Sequence, residues 1–196
     1  LMFSSLAFPR INPLNQVILL TSFPRGLTPI FKSFSNCSWF VATQKTWFPF
    51  VSSAGRYPPV EITSLTGIGK PRVSVLSATE EILDSVPSSL EANELTKRAK
   101  EEGIIEEVFG PMAFDNSVSE KAAQIKGIKN AVAGKTDILL VPNVETGNAL
   151  VKMMIFFMGA CAAGVVVGGK VPVVITSRAD DTQARLASMA AAVVAL

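Results

Sequence analysis

The pattern of hydrophobic and polar positions changes character near residue 67 of the chain. Beyond that point, short apolar runs alternate with longer stretches in which apolar residues recur every three or four positions. The short runs predict β-strands, and the longer periodic stretches predict helices. The predicted strands are 72–77, 137–142, 162–169 and 171–176, and the predicted helices are 88–103, 115–127, 145–159 and 180–195.

This order of elements predicts an α/β fold, because strands that alternate with helices form a parallel sheet with helices on its faces. The run DILLVP at 137–142 is typical of a buried parallel strand, since it is almost continuously apolar and ends at a proline. The charge-free run between Lys152 and Lys170 is interrupted by glycines, which disfavours a membrane span. We therefore predict a buried helix that leads into a buried strand, and no membrane partner.

Residues 1–60 differ in composition from the rest of the chain. They contain no Asp or Glu, eight of the twelve phenylalanines and seven of the twelve prolines. Prolines interrupt each candidate helix or strand there. We interpret residues 1–66 as an atypical, acid-free segment that is mis-joined, truncated or poorly ordered, and residues 67–196 as an α/β domain. A basic, serine-rich targeting segment is the second interpretation, and a part of a folded domain is the remaining one.

The composition argues against several classes of function. A net charge of +2 gives no electrostatic reason to expect a nucleic-acid partner. The chain has no histidine, which is the commonest general base and the commonest metal ligand. Its two cysteines, Cys37 and Cys161, are too few for a metal cage or a disulfide framework. They are typical of unpaired thiols in a cytoplasmic protein.

The tripeptide Gly134-Lys135-Thr136 is how a phosphate-binding P-loop ends. A P-loop also needs an earlier glycine, at the position that Lys129 occupies here, and a helix directly after the motif. The predicted strand 137–142 follows instead. We therefore predict a turn that leads into a strand, and no nucleotide site.

Three junctions between a predicted strand and the next helix carry polar clusters. Ligands of parallel α/β sheets bind at the carboxyl ends of strands and against helix N-termini. The junctions are SATEE (Ser77, Thr79, Glu80), PNVETGN (Asn143, Glu145, Asn148) and TSRADD (Thr176, Ser177, Arg178, Asp180, Asp181). In the third junction, helix-start amides, a hydroxyl and a guanidinium favour a phosphate or carboxylate site. The alternative is that Ser177 and Arg178 are only a cap and a surface residue.

Several segments resemble the phosphate acetyltransferase/phosphate butyryltransferase family, most closely its butyryl branch. These segments are KPRVSVLSATEE (70–81), GPMAFDN (110–116), KGIKNAVAGKTDILLVPNVETGNALVK (126–152) and VPVVITSRADDTQARLAS (171–188). The resemblance begins near Gly67 and concerns the C-terminal part of the family's pattern. It implies the second domain of a two-domain fold, a three-layer α/β/α arrangement with a parallel sheet, like that of isocitrate and isopropylmalate dehydrogenases.

The resemblance also implies an enzyme that moves a short acyl group between coenzyme A and inorganic phosphate. Coenzyme A would be a substrate, no metal or bound cofactor would take part, and the complete protein would be a cytoplasmic homodimer. As catalytic residues, Ser177 would hydrogen-bond the thiol or the acyl carbonyl, and Arg178 would hold phosphate. The residues expected to line or brace the substrate and phosphate site are Ser77, Thr79, Asn143, Glu145, Asn148 and Asp180.

Two departures from the family's pattern bear on activity. The acetyl branch carries an aspartate, proposed as the base, at the position of Ala184. Asp180 and Asp181 are alternatives, although helix N-terminal charge also explains both. In addition, residues 1–60 do not resemble the family's first domain, so a non-catalytic α/β fragment or interaction domain is the alternative function. A metal-dependent decarboxylating dehydrogenase would need clustered aspartates, which the scattered acids do not offer.

Overall fold

The computed structural model describes residues 16–20, 40–43, 70–103, 107–158, 160–167 and 171–194. These residues fall into two compact units. The first unit is Lys70–Pro142, and the second contains Asn143 onward together with the described residues before Lys70. Most of the predicted 1–66 segment, including its boundary, therefore lies outside the described residues.

The described elements follow the predicted alternation from residue 72 onward. In chain order, the strands are β1 (Gln16–Leu20), β2 (Phe40–Thr43), β3 (Arg72–Leu76), β4 (Glu107–Met112), β5 (Ile138–Val141) and β6 (Ala163–Val167). The helices are α1 (Pro87–Glu101), α2 (Phe114–Val118), α3 (Glu120–Ile125), α4 (Val144–Met158) and α5 (Thr182–Val194).

The first unit is built on a parallel sheet in which β3 lies between β4 and β5. Val73 pairs with Val108 on one side and with Ile138 on the other. Both faces of the sheet are covered, so β5 is buried along its whole length, as its continuous apolar run predicts. The parallel α/β prediction is confirmed for these three strands.

Strand β4 was not predicted from the sequence, because its segment EVFGPM contains Gly-Pro, which weakens a strand pattern. The pairing with β3 shifts register between Ser74 and Leu76, where the two residues pair with Phe109 and Met112. This irregularity accommodates Pro111, which has no N–H to donate. Gly110 is required here, because a Cβ at this position would lie 2.7 Å from the carbonyl oxygen of Val75.

An ion pair joins the starts of β3 and β5. The Arg72 guanidinium donates to both carboxylate oxygens of Asp137, from Nε at 2.8 Å and from a terminal nitrogen at 2.9 Å. The backbone N–H of Arg72 also donates to this carboxylate at 3.0 Å, and Asp137 N–H donates to the Arg72 carbonyl at 2.9 Å. These bonds raise the pKa of Arg72 above its ordinary value, mainly through the hydrogen bond to Asp137.

The second unit departs from the all-parallel prediction. Strand β1 pairs antiparallel with both β2 and β6, so strands do form at 16–20 and 40–43 between the prolines. Helix α5 packs on β6, where the buried Ser188 hydroxyl accepts a hydrogen bond from Gly164 N–H at 3.0 Å. The strand predicted at 171–176 is wrong in extent, since only Val173 forms an isolated bridge.

The helix predicted at 115–127 is two short helices. Ser119 separates α2 from α3, and its hydroxyl accepts a hydrogen bond from Ala122 N–H, so it caps α3. Asp115 and Asn116, the predicted caps, lie inside α2 instead. Because the helix is broken at Ser119, α2 and α3 do not share one continuous helical face.

The charge-free run of residues 153–169 forms the end of α4 and then β6. The prediction for this run was a buried helix that leads into a buried strand. The order of helix and strand is confirmed, but the burial of the helix is wrong, because Phe156 and Phe157 near its end are 70% and 87% exposed. Among the residues that the structure describes, no helix is both long and apolar enough to cross a membrane.

The Gly-Lys-Thr tripeptide forms the turn between α3 and β5. Gly134 has a positive φ of 72° and lies against the backbone of Glu120, at the start of α3. The Thr136 hydroxyl is buried and donates to the Val132 carbonyl at 3.2 Å, and Lys135 lies 3.7 Å from the Glu120 carboxylate. The turn is therefore packed on a helix and is followed by a strand, in agreement with the prediction against a P-loop.

Replacing Asp137 with Ala is expected to lower the free energy of unfolding by about 2 kcal/mol, because Arg72 loses a charged hydrogen-bond acceptor. The Arg72 side chain is 34% exposed, so the effect is smaller than the roughly 3–5 kcal/mol of a fully buried pair. Urea denaturation followed by circular dichroism measures it. The matched control is Asp84→Ala at an exposed loop position. Equal effects of the two changes would contradict a stabilising role of the Arg72–Asp137 ion pair.

Gly134→Ala is expected to destabilise the first unit more than Gly127→Ala. Both glycines have positive φ, 72° and 69°, so both changes carry a backbone cost of about 1 kcal/mol. Only at Gly134 would a Cβ overlap other atoms, those of Glu120, which adds roughly 1–3 kcal/mol of overpacking. Thermal denaturation of the two variants tests this, and equal melting temperatures would refute the close approach.

Candidate active site

The loop after β3, residues 77–86, carries the first predicted cluster; we call it the post-β3 loop. Ser77 N–H donates to the Met112 carbonyl at 2.8 Å, and the Ser77 hydroxyl lies 3.0 Å from that of Ser88 on α1. The Thr79 hydroxyl accepts a hydrogen bond from Glu81 N–H at 3.1 Å, which leaves its own hydrogen available for an acceptor. Both hydroxyls are half-buried at the carboxyl end of the parallel sheet.

Glu80, in the same loop, belongs to a polar cluster that the sequence did not predict. Its carboxylate accepts hydrogen bonds from Asn116 Nδ2 and from Lys126 Nζ, each at 3.1 Å. Lys126 Nζ also donates to Asp115 at 3.0 Å. The signal that could have located the cluster is the pair Asp115-Asn116 directly after a strand, but this requires β4 to be recognised.

The PNVETGN residues lie along the first turns of α4. The Asn143 side chain caps this helix, because its Oδ1 accepts from both the N–H and the hydroxyl of Thr146, at 2.8 and 2.7 Å. Glu145 is exposed in the first turn. The Oδ1 atom of Asn148 is buried and has no hydrogen-bond partner within the described ranges. Asn143 thus braces the helix, and Asn148 offers an acceptor without a donor.

The TSRADD segment forms a tight turn before α5. Asp180 accepts a 2.7 Å hydrogen bond from Ser177 N–H through its carboxylate, and its own N–H donates to the Ser177 carbonyl at 3.2 Å. The Ser177 hydroxyl accepts from Ala179 N–H at 3.3 Å. Arg178 lies at the tip of this turn and is exposed. The structure therefore brings Ser177 and Asp180 together and presents Arg178 beside them.

Asp181 caps α5, since its carboxylate accepts from Ala184 N–H at 2.7 Å. The amides that could have bound an anion at this helix start are thus partly occupied by carboxylates. Ala184, where the acetyl branch has its aspartate, is buried. Asp181 thus bonds at the start of the helix, whereas Asp180 bonds within the turn that precedes it.

The surroundings of Cys161, which lies between α4 and β6, disfavour the thiolate form of its side chain. The thiol is partly buried, and its pKa is raised above the ordinary value, first by burial and then by the charge of Asp181. The thiol form is therefore favoured, which lowers the reactivity of the sulfur.

In the part of the chain that the structure describes, no three Cys, Asp or Glu side chains are grouped to hold a metal ion.

Comparison with known proteins relates this chain to phosphate acyltransferases. Residues 60–193 match the family described as "Phosphate acetyl/butaryl transferase". The chain is 47% identical over 134 residues to a phosphate acetyltransferase of Rhizobium meliloti, an alignment that covers 68% of this chain and 42% of the relative. It is 41% identical over 136 residues to a phosphate butyryltransferase of Clostridium acetobutylicum, covering 68% and 44% of the two chains.

The solved structures agree with the sequence relatives. The crystal structure of a branched-chain phosphotransacylase from Enterococcus faecalis matches with a TM-score of 0.75 and 29% identity, over 94% of this chain and 64% of that one. The chain spans less than half the length of the two curated relatives above. Since the family match covers more than half of this chain and includes the Ser177–Asp180 turn, the chain belongs to the phosphate acetyl/butyryl transferase family.

Proposed function

We propose that this chain takes part in reversible acyl transfer between coenzyme A and inorganic phosphate. The observation that carries the proposal is the turn before α5, in which Ser177 and the exposed Arg178 are consecutive residues. Family membership supplies the reaction class, and this turn supplies the two groups that the reaction needs most: a neutral donor and a fixed positive charge.

The reaction moves one acyl group between sulfur and oxygen. In one direction, the coenzyme A thiolate attacks the carbonyl carbon of an acyl phosphate, the new C–S bond forms, and the C–O bond to phosphate breaks. Negative charge develops on the carbonyl oxygen and on the departing phosphate. Arg178 is exposed at the turn tip and would bind the phosphate oxygens through its guanidinium fork.

Ser177 acts in this proposal as a hydrogen-bond donor and not as a nucleophile. Its Oγ accepts from Ala179 N–H, which orients the hydroxyl and leaves its hydrogen to donate to the carbonyl oxygen or to the thiol sulfur. The Asp180 carboxylate is bound to the Ser177 backbone N–H and not to its hydroxyl. A serine nucleophile would need a base on its hydroxyl, so the acyl group passes directly between sulfur and phosphate.

The other predicted residues take supporting roles. Ser77 and Thr79 are proposed as phosphate-side hydroxyls at the end of β3, and Thr79 retains a hydrogen to donate. Asn143 braces α4 through its bonds to Thr146, while Glu145 lines the site from the exposed side of the same helix. The buried Oδ1 of Asn148 is an acceptor for a substrate N–H or for a bound water.

We further propose the architecture that the family resemblance implies. The α/β domain would be the second domain of a three-layer fold like that of isocitrate and isopropylmalate dehydrogenases, and would supply one wall of the cleft. The complete enzyme would be a cytoplasmic homodimer. Sequence identity does not assign the chain to either branch of the family, since the acetyl relative is 47% identical and the butyryl relative is 41% identical. Membership of the butyryl branch stays our prediction.

Calorimetric titration of the 196-residue chain with coenzyme A tests the proposed function. Ser177→Ala is expected to weaken the binding of coenzyme A, and Arg178→Ala is expected to weaken the binding of inorganic phosphate, titrated in the same way. For Arg178→Ala we expect a roughly 10- to 100-fold rise in the dissociation constant for phosphate, because a charged hydrogen bond is lost. Arg185→Ala is the matched control, because it removes the same charge from an exposed position in the first turns of α5.

The outcomes separate the competing functions. Binding that weakens in Ser177→Ala and Arg178→Ala, but not in Arg185→Ala, supports a site at this turn. Equal weakening in both arginine variants indicates general charge attraction and contradicts a specific role for Arg178. A folded chain that does not bind coenzyme A contradicts the proposal for this chain and favours the non-catalytic fragment.

A further inference from the structure

The cluster of Glu80, Asp115, Asn116 and Lys126, which we call the Lys126 cluster, connects three separate elements of the first unit. Glu80 lies in the post-β3 loop, Asp115 and Asn116 lie in α2, and Lys126 follows the last turn of α3. One ammonium group bridges two carboxylates, at 3.1 Å to Glu80 and 3.0 Å to Asp115. The cluster therefore ties the loop to both short helices.

The hydrogen bonds of the cluster are not those of an isolated surface pair. The side chains of Lys126 and Glu80 are 29% and 30% exposed, whereas that of Asp115 is 53% exposed. Asn116 is fully buried, and its Nδ2 donates to the carboxylate oxygen of Glu80 that Lys126 also contacts. The pKa of Lys126 is raised and that of Asp115 is lowered, in each case mainly by their mutual hydrogen bond.

Few other bonds hold the middle of the post-β3 loop. At its start, Ser77 bonds to the Met112 carbonyl, and at its far side the buried Ser89 hydroxyl bonds to both the N–H and the carbonyl of Leu83. Between these anchors, Thr79 bonds to Glu81 within the loop itself. Glu80 is thus the side chain through which the loop's centre is fixed to α2 and α3.

We propose that Lys126 is a positioning residue that holds the post-β3 loop, through Glu80, in the conformation that directs the Thr79 hydroxyl toward phosphate. The part concerning phosphate rests on the proposed function, since Thr79 is there a phosphate-side donor. Lys126 does not touch the substrate in this proposal. It acts through Glu80, whose neighbour in the chain is Thr79.

Lys126→Met is expected to weaken the attachment of the post-β3 loop to α2 and α3. Without the ammonium, Glu80 keeps only its bond from Asn116, and the carboxylates of Glu80 and Asp115 repel each other across the vacated position. Partly exposed ion pairs contribute modestly, so we expect amide hydrogen exchange of Glu81 to accelerate roughly 3- to 10-fold. Lys126→Arg retains a cation and is expected to restore most of the protection.

The experiment compares four forms of the full chain by amide hydrogen exchange: wild type, Lys126→Met, Lys126→Arg and Lys135→Met. Lys135 is the control, because it also pairs with a carboxylate of the first unit, that of Glu120, but contacts another turn. Exchange that accelerates at Glu81 in Lys126→Met alone supports the hold on the loop. Unchanged exchange there, or equal acceleration in Lys135→Met, overturns it.

A second measurement tests the link to phosphate and separates it from the proposed function. Titration with inorganic phosphate is expected to give a dissociation constant raised roughly 3- to 10-fold in Lys126→Met, with the coenzyme A constant unchanged. Phosphate binding that is unaffected in a variant with a loosened loop overturns the positioning role. If the wild type binds no phosphate, the proposed function fails, while the exchange data still decide whether Lys126 holds the loop.

A double variant tests whether Lys126 acts on the post-β3 loop through Glu80. If Lys126 acts through Glu80, then Glu80→Gln is expected to loosen the loop as Lys126→Met does, and combining the two changes should add little. Additive effects on the exchange of Glu81 would contradict the proposed path, because the two residues would then act independently.

Discussion

The pairing of Arg72 with Asp137 sets the register on which the first unit depends. It joins the amino ends of β3 and β5 through two guanidinium bonds and two backbone bonds. In a parallel pair, the pairing at the first residues also fixes which residues lie at the far ends of both strands. A slip of one residue would separate this ion pair and exchange the side chains that pack on the two covered faces of the sheet. The Arg72–Asp137 ion pair therefore determines which residues follow the strands at the carboxyl edge of the sheet. Ser77 is the first residue after β3.

The sequence predicted those elements whose local pattern agrees with their tertiary surroundings. The run at β5 is buried along its whole length, and the periodic stretches of α1, α4 and α5 form helices close to the predicted bounds. Strand β4 could not be recognised, because Gly110-Pro111 lies within it. Gly110 is required because the backbone of Val75 approaches it closely. Pro111 is a residue that strand patterns rarely contain, so it argued against a strand in this segment. The 171–176 segment has the composition of a strand, but within the described residues only Val173 has a bridging partner.

The candidate site was predictable where it depends on sequence neighbours. The cap of α4 by Asn143 and the turn from Ser177 to Asp180 each join residues only three positions apart, so strand-to-helix junctions reveal them. The Lys126 cluster was not predictable, because Glu80 and Lys126 are 46 positions apart. Their meeting depends on β4 and on the break at Ser119, neither of which the pattern indicated. Tertiary contacts of this kind require a topology before they can be inferred.

The bonds of Asp180 and Asp181 restrict how the proposed reaction can handle protons. Each carboxylate accepts a backbone N–H, one in the Ser177 turn and one at the start of α5. A proton delivered to the same oxygen would compete with that bond and loosen the turn that presents Ser177 and Arg178. A free thiol with a pKa of about 8.5 already supplies a few per cent of thiolate near neutral pH. In the proposed reaction, the positive charge of Arg178 would favour this anion further. The turn would then promote attack by the thiolate without an acidic side chain at the position of Ala184.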